Sequence, residues 1–131
     1  WSVCDSFVTS LKFVKKDRGR AWEFIQPYFE SDRTYDIRFA AVMSLAYFKD
    51  GEYAPRVFEK FDKIENDDYY VKMAVAWAVS VFFVNAREET RRYLENNRLD
   101  DFTFNKSLQK IIESYRVTPQ DKAEIRAMKR K

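Results

Sequence analysis

The stretch from Tyr69 to Val84, YYVKMAVAWAVSVFFV, carries a single charge, Lys72, and contains neither Gly nor Pro. It is too long for one strand and too short to span a bilayer, so it predicts a helix inside a protein. Ala74, Ala76 and Ala78 leave room for neighbouring helices to approach closely. A helix that is apolar all round needs cover on several sides. The chain supplies that cover as near copies of the same helix.

Setting Tyr35 to Leu45 (YDIRFAAVMSL) on Tyr69 to Val79 (YYVKMAVAWAV) places Ile37 on Val71, Arg38 on Lys72, Ala40 on Ala74 and Leu45 on Val79, at an offset of 34 residues. A further 34 residues on, Lys106 takes the place of Lys72, and 34 residues before Tyr35 stands Trp1. A period of this length made of paired helices is the signature of an α-solenoid of tetratricopeptide or HEAT type. The expected fold is therefore all-α, one domain over residues 1–131, built as a right-handed array of antiparallel helix pairs. Thr34–Phe48, Tyr69–Val84 and Thr103–Tyr115 are its predicted inner helices.

Composition narrows the chemistry. With two glycines and three prolines in 131 residues, long loops and an all-β fold are disfavoured, and an aromatic share of 18% builds the core from Phe and Tyr more than Leu. There is no histidine, which excludes His-dependent triads and His-ligated zinc, and the lone Cys4 cannot form an internal disulfide. A reduced, cytoplasmic setting fits. No signal peptide or transmembrane run is present, and a first residue Trp1 in place of Met reads as a fragment or processed chain. The net charge of +3 does not by itself announce a nucleic-acid partner. The basic tail Lys122 to Lys131 reads as a solvated end that complements the last helix's dipole.

In chain order, Ser2 to Lys16 is helical, and the basic run Lys15, Lys16, Arg18 and Arg20 around Gly19 marks a turn. Ala21 to Phe29 is a second helix, kinked or ended by Pro27, with Trp22 in its core. Ser31 or Asp32 caps Thr34–Phe48, which stops at Asp50-Gly51. Glu52 to Ile64 follows, with Pro55 in its first turn and a core stripe of Tyr53, Val57, Phe58 and Phe61. Ala86 to Asn96 is a charged outer helix, Asp100 or Asp101 caps Thr103–Tyr115, and Thr118-Pro119 opens the last helix. The sum is eight helices in four pairs.

Trp1 and Asp5, four apart on a helix, point to one face, where an aromatic wall beside a carboxylate can hold a cation. The ordered set Trp1-x-x-x-Asp5, Ile37-Arg38, Val71-Lys72, Ala76-Trp77-Ala78 and LDDFTFNKSLQKIIESYRV (Leu99 to Val117) resembles the HEAT-like DNA alkylation repair glycosylases, of AlkD and AlkC type. It is most similar to the small bacterial members.

That resemblance implies a monofunctional glycosylase that hydrolyses the N-glycosidic bond of cationic alkylpurines, such as 3-methyladenine and 7-methylguanine, in double-stranded DNA without base flipping. Trp1 and Trp77 match the aromatic residues flanking the lesion and Asp5 matches the catalytic carboxylate. Arg38 and Lys72 fall on DNA-facing positions. The 34-residue offset adds Lys106 to them, and Lys110 lies one turn further on. No cofactor, metal or membrane is implied, and the expected state is a monomer associated with the bacterial nucleoid. The chain departs from the family in starting on the catalytic Trp and in placing Lys72 where Arg is common. A noncatalytic HEAT-like module binding DNA or protein on its concave face is the alternative.

Overall fold

The computed structural model describes residues 18–130. Among them are seven helices and no strand: α1 Arg18–Phe29, α2 Thr34–Tyr47, α3 Ala54–Asp62, α4 Tyr69–Asn85, α5 Arg87–Glu95, α6 Asp101–Glu113 and α7 Pro119–Ala127. The predicted first helix, Ser2 to Lys16, lies outside the described residues.

The apolar stretch forms α4. Asp68 caps it by accepting the Tyr70 backbone N–H at 2.8 Å, and an uninterrupted run of helix-compatible residues carries it to Asn85. Its most extensive contacts are with α2 on one side and α6 on the other. These three helices start at the same end of the molecule. The Asn66 amide, just before α4, donates to the Asp32 carbonyl, just before α2, at 3.2 Å, and Lys72 in the first turn of α4 lies 3.5 Å from Asp100, the cap of α6.

A second set of contacts links the alternate helices. Trp22 of α1 meets Tyr53 before α3 at 5.5 Å, Phe29 meets Phe61 at 6.3 Å, and Phe58 of α3 stacks on Tyr93 of α5 at 4.2 Å. Arg87 of α5 then reaches Asp121 of α7 through two hydrogen bonds of 2.6 and 2.9 Å. Both this pair and Asn66–Asp32 join residues 34 apart.

Between the two sets lies an aromatic core. Phe82 is fully buried and sits edge-on to Phe58 at 5.3 Å and 6.4 Å from Phe61, joining α4 to α3. Burying rings of this size is the main favourable term in holding the rows together. The hydroxyls of Ser44, Thr90 and Ser107 are buried as well, and each donates to the carbonyl four residues back, at 2.7–2.8 Å. These small residues admit close packing with no unsatisfied polar group.

Several local expectations are corrected. Arg18, Gly19 and Arg20 lie within α1, not in a turn, and Pro27 is accommodated in the last turn of α1, which runs on to Phe29. Neither Ser31 nor Asp32 caps α2: the cap position is Arg33, without a side-chain bond, and the Ser31 hydroxyl instead donates to Asp36 at 2.8 Å. Asp100, with its carboxylate on the Thr103 N–H at 3.1 Å, caps α6, which therefore starts two residues earlier than expected. Thr118 and Pro119 open α7 as read from sequence.

The basic tail is not simply solvated. Arg130 lays its guanidinium 4.0 Å from the centre of the Phe104 ring, donates to the Leu99 carbonyl at 2.6 Å and to Asn97 at 3.0 Å, and exchanges backbone bonds with the Asn105 amide. Arg130→Ala is expected to lower stability by about 1–3 kcal/mol, because charge-assisted bonds and a cation–π contact are lost together. Urea midpoints of the two proteins check this, and coincident curves would make the tail dispensable.

Candidate nucleic-acid interface

The most apolar helix does not bury its tryptophan. Trp77 remains 37% exposed in the middle of α4, between the buried Ala76 and Ala78. Tyr70, Met73 and Trp77, spaced by three and four, share one face of the helix, so α4 presents a partly exposed apolar and aromatic strip instead of being enclosed on all sides. Trp1 and Asp5, the other two members of the predicted catalytic set, lie outside the described residues.

Lys72 stands five residues before Trp77 and so about 140° away around the helix, on the side toward α6. Its ammonium is 2.6 Å from Asp67 and 3.5 Å from Asp100. The hydrogen bond to Asp67 raises its pKa most, burial opposes this, and the charge of Asp100 adds to the rise. The positive charge of Lys72 is thus balanced locally by two carboxylates.

Arg38 extends from α2 to the start of α4, where Nη1 donates to the Tyr70 carbonyl at 3.4 Å. Lys72 and Lys106 lie 5.8 and 5.9 Å from the Phe102 ring centre, which brings the predicted cations of α4 and α6 to one aromatic residue. Lys106 also donates to Gln109 at 3.1 Å, and Lys110 is 3.9 Å from Glu113. The structure therefore places Arg38, Lys72 and Lys106 on successive neighbouring helices, with Lys110 further along α6.

Sequence reading missed the aromatic residues among these cations. Tyr35, Tyr69, Tyr70 and Phe102 are 42–57% exposed, all in the first turns of α2, α4 and α6. Tyr69 contacts Tyr70 at 5.6 Å and Phe102 at 6.0 Å. The signal available was position: an aromatic directly after a capping Asp, as at Tyr69 and close to it at Phe102, precedes the point where a helix enters its packed layer.

Burial works against the ionised form of Asp100, but hydrogen bonds from Thr103 and the charge of Lys72 outweigh it and hold its pKa below the usual value. A depressed carboxylate pKa contributes stability that is present above the unfolded-state value and disappears as pH falls through the folded one. Lys72→Met is expected to move the Asp100 titration back up, toward the ordinary range, while changing stability by less than about 1 kcal/mol at neutral pH. NMR titration of the Asp100 carboxyl checks it. An unmoved curve would assign the shift to the Thr103 bonds alone.

Among the described residues no group of three or more His, Cys, Asp or Glu is arranged to hold a metal ion, and no helix is long and apolar enough to cross a membrane. The chain matches no protein-family model, no curated protein and no solved structure.

Proposed function

We propose that this chain is a HEAT-like module of antiparallel helix pairs that acts as a DNA glycosylase on cationic alkylpurines. The observation that carries the reading is Trp77: a large ring held open to solvent on the most apolar helix, on the face shared with Tyr70, whose carbonyl Arg38 contacts. An indole left 37% exposed offers part of its face to solvent, and that face attracts a cationic base by its quadrupole. Arg38 on α2 and Lys106 and Lys110 on α6 lie on the two helices that flank α4, where a nucleic-acid backbone can follow them.

The chemistry asks little of the protein. Alkylation at N3 or N7 leaves a positively charged base that departs as a neutral molecule, so no general acid is needed. What develops is positive charge on the sugar, and a carboxylate in Asp5's place stabilises that charge and orients the attacking water. Trp1 and Trp77 hold the nucleotide, and the base stays in the duplex, unlike in enzymes that extrude it. No lysine nucleophile takes part, so strand cleavage is not expected.

A second reading is favoured by one specific feature. The pairing of Lys72 with Asp67 and Asp100 removes one of the expected phosphate contacts, which suits a noncatalytic module that binds DNA or protein. The deciding experiment is release of free 7-methylguanine from methylated duplex DNA, measured against spontaneous depurination. Release above that background is the expected result. DNA binding with no release would transfer the assignment to the noncatalytic module.

A further inference from the structure

A groove of about 620 Å³ runs between α6 and the α7 end of the chain. Leu108 and Ile112 line it together with Lys106, Arg126 and Lys129, against one carboxylate, Glu113. That carboxylate is already engaged, since it accepts from the Gln109 amide at 2.9 Å and lies 3.9 Å from the Lys110 ammonium. The groove is therefore cationic over an apolar floor, and its volume is in the range of ligand sites.

Phe102 also lines this groove, 42% exposed. Its ring is the end of the row that runs through Tyr69 to Tyr70, with centre distances of 6.0 and 5.6 Å. The aromatic row and the cationic groove thus meet at one residue. Rings left in solvent beside Lys and Arg match the two halves of an unpaired nucleotide: the base face stacks on the ring and the phosphate meets the cation. A duplex keeps its base faces covered by their neighbours. The rings are turned against one another, Tyr69 and Tyr70 by 79° and Tyr69 and Phe102 by 48°, so each exposed face offers its own place for one base. An acidic peptide satisfies the cations but gains little from exposed ring faces.

We propose that the α6–α7 groove and the Tyr69–Phe102 row bind single-stranded nucleic acid, with bases stacked on the rings and phosphates held by Arg126 and Lys129. Base faces and phosphates are common to DNA and RNA, so the site accepts either sugar. The proposal goes beyond alkylpurine excision and does not depend on it.

Fluorescence anisotropy on the 131-residue protein tests it with four labelled probes: oligothymidylate, oligouridylate, an abasic oligomer of equal length, and polyglutamate. Oligothymidylate and oligouridylate are expected to bind alike and more tightly than the abasic strand. Phe102→Ala should weaken oligothymidylate binding roughly 5- to 100-fold, the worth of one stacked base, and leave the abasic strand where it was. Phe102→Trp should restore the binding, which separates stacking from folding. Arg126→Gln with Lys129→Gln should weaken all three strands and lower the salt slope by about 1.4, at roughly 0.7 for each single-strand phosphate contact. Equal affinity for thymidylate and abasic strands, or a neutral Phe102→Ala in a protein with unchanged melting, overturns the proposal. Tighter binding of polyglutamate reassigns the groove to an acidic protein partner. The 7-methylguanine assay reads the other proposal alone, so each can fail while the other stands.

Discussion

Phe82→Ala is expected to destabilise the protein by about 3–5 kcal/mol, enough to remove much of a typical domain's stability. Phe82 is fully buried, edge-on to Phe58 and in reach of Phe61, and Phe58 in turn stacks on Tyr93. Its ring therefore joins the central helix to α3 and, through Phe58, to α5. The neighbours are themselves large rings fixed by one another, so they cannot collapse into the cavity, and the full transfer and cavity terms are felt together. A fall in melting temperature of roughly 10–20 °C should accompany the change. Trp77→Ala on the same helix is the control, because a side chain already 37% exposed forfeits less burial and leaves no enclosed cavity. Urea denaturation of both variants checks the pair. Equal losses would mean that Trp77 is a core residue and would weaken its assignment to ligand contact.

Under the proposed glycosylase function, Asp5→Asn is expected to remove most excision of cationic alkylpurines, on the order of 100-fold or more, while leaving binding of DNA nearly intact. Asn keeps the shape of the side chain but removes the negative charge on which an oxocarbenium-like transition state depends. The loss should therefore appear in the single-turnover rate and not in affinity. Trp77→Ala differs in kind: in the proposed function its contact with the lesion is the same in ground and transition states, so binding and excision should fall together. A purely architectural role predicts the opposite ranking, since a capping Asp tolerates Asn well. Single-turnover release of 7-methylguanine alongside thermal melting separates these accounts. Wild-type release by Asp5→Asn would sink the catalytic assignment.

Periodicity and capping chemistry were legible without coordinates. The α2 and α4 helices follow from apolar runs free of Gly and Pro and α6 from an amphipathic one, and Asp100 and Thr118 act as the expected caps because a short polar side chain before a helix satisfies its free N–H groups, whereas neither Ser31 nor Asp32 caps α2. The amphipathic stripe of Tyr53, Val57, Phe58 and Phe61 was equally readable, and all four are buried. Such features depend on neighbours within one or two turns, and the amino-acid order specifies those neighbours outright.

Partners distant in the chain were not legible. Nothing in the order of residues assigns Lys72 to Asp100, 28 positions on, or says that Arg130 returns to Phe104 and Leu99. Trp77 illustrates the same limit on the most apolar helix: hydropathy averages over the whole circumference, while exposure depends on which sides α2 and α6 happen to cover. The cation row changed meaning for this reason too. A lysine is a phosphate contact or one half of an ion pair according to what packs within about 4 Å of its ammonium, where opposite charges interact strongly. Sequence therefore determined the all-helical class, most helix positions and the caps of α6 and α7, short-range consequences of backbone hydrogen bonding and side-chain pattern. Tertiary structure alone decided which aromatic rings and cations stay open to a ligand, because solvent access and charge pairing belong to the packing of separate segments.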